Sequence, residues 1–504
     1  MLRAFPGGSL PLRFAREAST RARIDWLAVA FATAACGLMA TVGADARWLV
    51  ALGGEIAGSG RIPDGVPFAA AISDGWQNVP ALGEVIFHAL AAGLGDRGLV
   101  LAQVLAVACA LGLLALDMRR SGAPELARAF VTLVVVVACL QAFVIVRAQL
   151  FSLALFPALV VLLRSEARAP SRRIWLLVPL LAVWSNLHGA ALLGLLVAGA
   201  YLVLARARRS PVEALTVLGS SALALCLTPS LWRTPEYYLG VLSSEAARRG
   251  AGLWAPLSLR SLFGVGFVVS ALALVALALR ARPALWELAC LAGLGLLTAQ
   301  AGRNGVWLAF FAAGPSTGGL RLVAGPVRLP RVAVLAGSAG VALLLALALV
   351  REPAQAGASR ALLARSEALA AGTPILADAL PAEQLAAAGA RVWIANPIDA
   401  FAGPDQRLYV DWLEGLPSGE RALDRAPRAV LVTVGSPAQR RLAATPDFRE
   451  LAHDARAVLY ALAPQSEGRG LVHVPSGHVP GSDPRTCPML RCRSASKVAG
   501  PGDV

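Results

Sequence analysis

Long apolar runs alternate with short polar turns over the first two thirds of the chain. The first run, 24–43, is long enough to cross the ~30 Å hydrocarbon core of a bilayer as a helix. Ten further runs lie at 97–117, 129–146, 150–163, 174–187, 190–205, 212–229, 261–280, 284–300, 304–320 and 332–350. The pattern predicts a mostly α, polytopic transmembrane helical bundle of about eleven spans over 24–350.

The turns between the runs carry arginines in a regular order, which predicts the side of the membrane on which each turn lies. Cytoplasmic loops are enriched in Lys and Arg. The clusters are Arg119 and Arg120; Arg164, Arg168, Arg172 and Arg173; Arg206, Arg208 and Arg209; Arg280 and Arg282; and Arg321, Arg328 and Arg331. If all are cytoplasmic, the N-terminus is cytoplasmic and the part after 350 is extracytoplasmic. A signal peptide cleaved near Ala44-Asp45-Ala46 is the alternative for the first run, which exceeds the usual apolar length of roughly 7–15 residues.

The run from 174 to 205 has Arg at both ends and the polar stretch S-N-L-H-G at 185–189 in its middle. This arrangement predicts a hairpin whose tip carries Asn186 and His188 on the outer face. The alternative is one long tilted helix that buries both side chains at mid-membrane. Two other predicted tips, Arg147-Ala148-Gln149 and Gly302-Arg303-Asn304, lie on the same face.

The remaining segments are more polar. Residues 1–23 form a basic arm predicted to be cytoplasmic, and 44–96 form the first outer loop, with a helix indicated by the spacing of Trp48, Leu49, Leu52 and Ile56. Short apolar stretches at 374–377, 391–395 and 429–433, separated by helical patterns, predict a small C-terminal extracytoplasmic α/β domain over 351–464. The final stretch, 465–504, is rich in Gly, Pro, Ser and Arg, which predicts a disordered tail where Cys487 and Cys492 pair if the tail is extracytoplasmic.

Composition supports a membrane protein and excludes a nucleic-acid binder. The chain is 57% hydrophobic and only 15% charged, whereas soluble domains are about one quarter charged. Its net charge of +15 is spread over short clusters instead of one basic patch. The other five cysteines lie in apolar runs without metal-ligand spacing; a divalent metal stays an open alternative without support from the sequence.

Five stretches carry a family resemblance. They are D-A-R-W-L-V-A-L-G-G-E-I at 45–56 followed by G-R-I-P at 60–63, R-A-Q-L-F-S at 147–152, W-S-N-L-H-G-A-A-L-L-G at 184–194, R-N-G-V-W-L-A-F-F at 303–311, and A-R-V-W-I-A-N-P-I-D-A-F at 390–401. In this order they resemble the GT-C superfamily of polytopic membrane glycosyltransferases, specifically its bacterial protein-mannosyltransferase-like members. The resemblance covers most of the chain.

The resemblance implies transfer of a hexose or pentose from a polyprenyl-phosphate carrier to a glycan, lipid or protein acceptor, at the extracytoplasmic face of a bacterial inner membrane. An acidic residue of the first outer loop acts in such enzymes as a base or a metal ligand toward the acceptor, and Asp45 matches it. Arg147 and Arg303 suit the lipid phosphate, because a guanidinium matches phosphate oxygens. Asn186 and His188 are candidate donors or positioners, and the secondary candidates are Asp64, Glu84, Gln149 and Asn304.

The sequence also departs from the family. An Asp-Pro-Phe-like motif is replaced by Asp64-Gly-Val-Pro67-Phe68, and a His-Glu-Trp-like run is replaced by Asn78-Val-Pro-Ala-Leu. Asp45 has an alternative role as the cap of the helix that it begins. Two other classes of protein therefore stay open: a lipid or small-amphiphile transporter, and a non-catalytic membrane scaffold derived from the same fold.

Overall fold

The computed structural model of the chain describes residues 24–320, 330–355, 357–425 and 428–463. Several predictions lie outside these residues. They concern the basic arm 1–23, Arg321 and Arg328 of the last arginine cluster, and the tail 465–504 with Cys487 and Cys492.

Each predicted apolar run contains a helix, with two helices in the first outer loop and two in the segment 230–260. In chain order the helices are α1 (Ile24–Leu38), α2 (Ala44–Ser59), α3 (Ala81–Leu94), α4 (Asp96–Arg120), α5 (Glu125–Val144), α6 (Leu150–Arg168), α7 (Leu177–Ser185), α8 (Ala191–Leu204), α9 (Pro211–Ala224), α10 (Thr234–Ser243), α11 (Glu245–Arg249), α12 (Leu262–Arg280), α13 (Leu285–Gln300), α14 (Gly305–Gly319) and α15 (Arg331–Val350).

Six helices of the described chain are long and apolar enough to cross a membrane: α4, α5, α6, α8 with its continuation to Arg208, α12 and α15. The helices α1, α3, α9 and α13 are apolar but shorter. Helix α1 is shorter than the apolar run 24–43, because the helix ends at Leu38 and the strand β1 begins at Thr41.

Charged side chains within the bundle are paired with one another. Arg128 Nε lies 2.7 Å from Asp25 Oδ2, and Arg164 Nη1 lies 2.5 Å from Asp117 Oδ2. An unpaired charge in an apolar environment would cost several kcal/mol. These pairs therefore join α1 to α5 and α4 to α6.

The helices α7 and α8 form the predicted hairpin. The Arg206 guanidinium, just beyond α8, donates from Nη2 to the carbonyl of Ser171, just before the turn that leads into α7 (3.3 Å). The two ends of the 174–205 segment are therefore adjacent, with Asn186 and His188 at the tip. The alternative of one long helix is wrong.

A small parallel sheet ties three distant segments together at one end of the bundle, called here the sheet end. It consists of β1 (Thr41–Val42), β2 (Ile145–Val146) and β3 (Ala354–Gln355), in the order β2-β1-β3. The register pairs Thr41 with Ile145 and with Ala354. Residues that directly follow β1 and β2 are consequently neighbours.

The C-terminal part contains a four-stranded sheet flanked by helices. The helices are α16 (Arg360–Ala370), α17 (Ala379–Ala387), α18 (Gly403–Leu413) and α19 (Pro437–Leu442), and the strands are β4 (Leu376–Ala377), β5 (Ala429–Thr433), β6 (Phe448–His453) and β7 (Ala457–Leu462). The order is β4-β5-β7-β6, with β4 parallel to β5 and the other pairs antiparallel.

One predicted strand is wrong in detail. The stretch 391–395 forms only isolated bridges, from Val392 to Ala69 and to Ile375. Its neighbour on one side is a loop of the 44–96 segment, so the pairing cannot lengthen into a ladder. The hairpin of β6 and β7 was not predicted, because the alternation of polar residues in β6 is weak.

The C-terminal sheet shares a core with the first outer loop. Val66 and Ala69 of that loop pack in one buried cluster with Trp393, Phe401 and other apolar side chains of the C-terminal part. In addition, α17 packs along α2. The residues after 350 therefore reach the end of the bundle where α2 begins.

Candidate active site

Asp45 and Arg147 are close because β1 ends three residues before Asp45 and its parallel neighbour β2 ends immediately before Arg147. Val42 is paired with Val146, Asp45 lies in the first turn of α2, and Arg147 follows β2 at once. Arg147 Nε is 4.0 Å from Asp45 Oδ2. Both side chains keep partial exposure, 19% for Asp45 and 26% for Arg147, so a ligand can reach the pair.

Asp45 does not cap α2. The capping position is occupied by Gly43, and no side chain accepts a hydrogen bond there. The Asp45 carboxylate lies one position inside the first turn, where the helix dipole favours a negative charge. Its side chain is thus directed toward Arg147 and is not used up by the backbone, so the capping alternative is wrong.

Arg303 reaches the same region from the turn between α13 and α14. Its guanidinium lies over the ring of Trp254, 4.6 Å from the centroid, and it interacts electrostatically with Asp45 and Arg147. Protein surrounds Arg303, yet solvent still reaches its side chain. That combination is expected of a group that lines a recess.

His188, at the tip of the α7–α8 hairpin, is held by a chain of hydrogen bonds. The Trp184 indole donates from Nε1 to Ser152 Oγ (2.7 Å), and Ser152 Oγ lies 2.7 Å from His188 Nδ1. The backbone N–H of Ala190 also points to Nδ1 (3.3 Å). A backbone N–H only donates, so Nδ1 is an acceptor, and Ser152 therefore donates its hydroxyl hydrogen to Nδ1 while it accepts from the indole.

This network assigns the neutral form of His188 with its proton on Nε2. Burial and the nearby Arg303 guanidinium lower the pKa of His188 to about 3. The imidazole therefore offers one N–H donor and carries no charge at physiological pH. It can orient a ligand but cannot supply a second positive charge.

Asn186 stabilises the α7–α8 hairpin through its side-chain amide. Its side-chain amide donates to the carbonyls of Ala182 (2.8 Å) and Leu227 (2.7 Å). These bonds close the end of α7 and attach it to the segment after α9. Both N–H groups are occupied, so the arrangement differs from the predicted role as a ligand donor.

Glu84 is enclosed beneath the hairpin tip. Its side chain is 0% exposed, and Asn78 Nδ2 donates to Glu84 Oε2 (2.7 Å). Close approach requires Gly53 in α2, where a Cβ would lie 2.1 Å from the Glu84 carbonyl oxygen. Burial raises the pKa of Glu84 to about 7. The carboxyl is thus largely protonated below neutral pH.

The other secondary candidates have structural contacts. Asp64 is exposed, and its Oδ1 accepts from the Gly75 N–H (2.7 Å). Asn304 Nδ2 donates to the Leu297 carbonyl near the end of α13 (3.0 Å). Gln149 immediately precedes α6, where its carbonyl accepts from the Leu153 N–H (3.1 Å). Each contact fixes the local chain path next to a candidate ligand.

Three titratable side chains near Asp45 and the hairpin tip were not predicted as site residues. Tyr237 of α10 lies against Gly189 of the hairpin tip and interacts electrostatically with Arg303 and Glu84. Asp399 accepts a hydrogen bond from Trp76 Nε1 (3.2 Å), and Glu383 of α17 interacts electrostatically with Asp45. The stretch 390–401 was noted and contains Asp399, but nothing in the sequence links Tyr237 or Glu383 to Asp45.

The described side chains around Asp45 form a cluster with more positive than negative charge. Two guanidinium groups, Arg147 and Arg303, face one carboxylate, Asp45. Burial raises the pKa of Glu383 and of Asp399, which disfavours further negative charge. In the described ranges no group of three His, Cys, Asp or Glu side chains could hold a metal ion. This cluster suits an anionic group with a hydroxyl beside it.

No protein-family model matches the chain, and no curated protein matches its sequence. Among solved structures, the crystal structure of ArnT from Cupriavidus metallidurans bound to undecaprenyl phosphate is similar to it, with a TM-score of 0.50. The match covers 87% of this chain and 97% of that chain, at 14% sequence identity. At this identity the likeness establishes the fold alone. The chain has an ArnT-like, mostly helical fold, as the predicted helical bundle requires.

Proposed function

We propose that the chain is a membrane glycosyltransferase that transfers a sugar from a polyprenyl-phosphate carrier to an acceptor hydroxyl. One observation carries the proposal. Asp45 lies beside Arg147 and within electrostatic reach of Arg303. This group sits in a fold shared with ArnT, whose crystal structure contains undecaprenyl phosphate.

Asp45 is the general base of the proposed reaction. The acceptor oxygen attacks the anomeric carbon of the sugar and loses its proton to the Asp45 carboxylate. The bond between the anomeric carbon and the phosphate oxygen breaks, and the lipid phosphate leaves with the electron pair. A positioned base of this kind contributes about 10²- to 10⁴-fold to the rate.

Arg147 and Arg303 hold the lipid phosphate before and after transfer. The departing phosphate gains negative charge as the sugar leaves, and two guanidinium groups stabilise that charge. A guanidinium also fits two phosphate oxygens at once, which fixes the direction in which the phosphate leaves. The Nε2–H of His188 is a neutral third donor to the sugar or to the phosphate.

The proposed topology has the Asp45 cluster on the extracytoplasmic face. In it, eleven apolar helices (α1, α4 to α9 and α12 to α15) cross the membrane, the N-terminus is cytoplasmic, and the C-terminal α/β part lies outside. The distribution of arginines supports this orientation. The cluster then lies on the extracytoplasmic side of an inner membrane, where a glycan, lipid or protein of the cell envelope is the acceptor.

The test is sugar transfer by the purified full chain in lipid nanodiscs. Undecaprenyl phosphates carrying a radiolabelled hexose or pentose are the donors, envelope extracts supply the acceptor, and release of undecaprenyl phosphate is measured. Time-dependent release that requires both protein and extract supports the proposal. Binding of the donor without release, combined with movement of the lipid across a vesicle membrane, would favour the transporter alternative instead.

A further inference from the structure

Glu383 brings a second carboxyl from the C-terminal part to Asp45. It lies on α17, which packs along α2, the helix that begins with Asp45 in its first turn. Its side chain is 0% exposed. A fully buried carboxyl is rare unless its oxygens are bonded, and this makes its partners informative.

The two oxygens of Glu383 have different surroundings. Asn396 Nδ2 donates to Oε1. Among the described residues, Oε2 has no hydrogen-bond partner, although it is buried. The electrostatic neighbours are Asp45 and Arg147, and the phenol of Tyr409 on α18 also interacts with this carboxyl.

These contacts decide where a proton on Glu383 would lie. Oε1 accepts a hydrogen bond from an amide, so the proton of a neutral Glu383 resides on Oε2. Burial and the charge of Asp45 raise the pKa of Glu383 well above its usual value, against the opposing effects of Asn396 and Arg147. An ionised Glu383 would add a second negative charge that competes with a phosphate for Arg147.

We propose that Glu383 is a positioning residue which, in its protonated form, keeps Asp45 as the single carboxylate of the site and leaves Arg147 free for the donor phosphate. The inference rests on the proposed function. It also means that the C-terminal part contributes a group to the site, since α17 is the element that carries Glu383.

The first test is the pH dependence of donor KM in Glu383→Gln, whose amide is a neutral and nearly isosteric replacement. In the native chain we expect donor KM to rise about tenfold on going from neutral to alkaline pH, because an ionised Glu383 adds a negative charge that competes with the phosphate for Arg147. Glu383→Gln keeps kcat at neutral pH within about threefold and lacks this rise. Asp378→Asn removes another buried carboxyl at the start of α17 and is expected to keep the native pH profile.

The proposal is overturned if Glu383→Gln shows the same alkaline rise as the native chain. It is also overturned if folded Glu383→Gln is inactive at neutral pH, since that result would mean that the ionised form is required.

A second test does not depend on activity. A carboxyl whose pKa is raised in the folded state loses stabilisation as pH rises from its unfolded value of 4.5 toward its folded value. In thermal unfolding, the Tm of Glu383→Gln relative to that of the native chain should therefore increase as pH increases.

In an Asp45→Asn background, the pH-dependent difference in Tm between Glu383 and Glu383→Gln should be smaller, because the charge of Asp45 is one cause of the raised pKa of Glu383. An equal trend in both backgrounds would contradict the coupling. If neither the native chain nor any variant releases undecaprenyl phosphate, the proposed function fails. If the pH dependence of Tm still depends on Asp45, the interaction between Asp45 and Glu383 is nevertheless supported.

Discussion

Asp45 Oδ2 and Arg147 Nε lie 4.0 Å apart because β1, which ends three residues before Asp45, pairs in parallel with β2, which ends immediately before Arg147. The base and the phosphate ligand of the proposed reaction are thereby fixed on one rigid support. A third strand, β3, attaches the start of the C-terminal part to the same support. The relative position of Asp45 and Arg147 does not depend on the closure of a loop, so the pair is preorganised for the donor.

Arg147→Gln should weaken binding of undecaprenyl phosphate by about 10- to 100-fold, because a charged hydrogen bond to phosphate is worth about 1.5–3 kcal/mol. Arg303→Gln should have an effect of the same order. Equilibrium binding of undecaprenyl phosphate to the full chain in nanodiscs measures both. Arg260→Gln, which removes an exposed arginine of the 230–260 segment, is the matched control and should bind as the native chain does. Equal affinities in all four proteins would remove the two arginines from the site.

His188→Asn separates the two nitrogens of the imidazole. The Asn Oδ1 can accept the hydrogen bonds that Nδ1 receives from Ser152 and Ala190, so the Tm should change little. The Nε2–H donor is lost, and kcat/KM should fall about threefold to tenfold, the usual effect of one neutral hydrogen bond. A native kcat/KM at native Tm would show that His188 only supports the hairpin tip.

The pH dependence of the same variant gives a separate result. Because the pKa of His188 is about 3, its ionisation lies below the range in which activity is measured. The pH profiles of the native chain and of His188→Asn between pH 5 and pH 8 should therefore be parallel. A limb near pH 6 that disappears in His188→Asn would contradict the assigned neutral form.

Asn186→Ala should destabilise the chain without changing donor KM. The substitution removes the amide that donates to Ala182 and Leu227, and each lost hydrogen bond is worth about 0.5–1.5 kcal/mol. Thermal unfolding and donor KM, measured on the same preparation, separate stability from binding. A raised KM with an unchanged Tm would return Asn186 to the predicted role as a ligand donor.

The bundle and three of its tips could be predicted from sequence because their signals are local. Apolar run length and arginine spacing indicate helices and turns directly, and the hairpin tip with His188 follows from the arginines at both ends of 174–205. The family resemblance suggested the roles that we propose for Asp45 and for the two arginines. Span lengths were less predictable, since the short strands β1 and β2 interrupt the apolar runs and appear only through pairing over long sequence separations.

The parts that could not be predicted depend on tertiary contacts. Glu383 lies in an ordinary helical pattern, and only the packing of α17 on α2 brings it to Asp45. The side chain of Asn186 is of a type that often binds ligands, but its amide donates to carbonyls of two separate segments. The position of Tyr237 near Gly189 could not be predicted from the sequence, because it arises from the packing of the 230–260 segment on the hairpin.

The central claim is that Asp45 acts as the base of sugar transfer, and the most direct measurement compares donor binding and transfer in Asp45→Asn. The amide is nearly isosteric but cannot accept the acceptor proton, so release of undecaprenyl phosphate should fall about 10²- to 10⁴-fold. Binding of undecaprenyl phosphate should stay within a few-fold of the native value, and the exposed Asp74→Asn should transfer normally. Transfer by folded Asp45→Asn at the native rate would contradict the account.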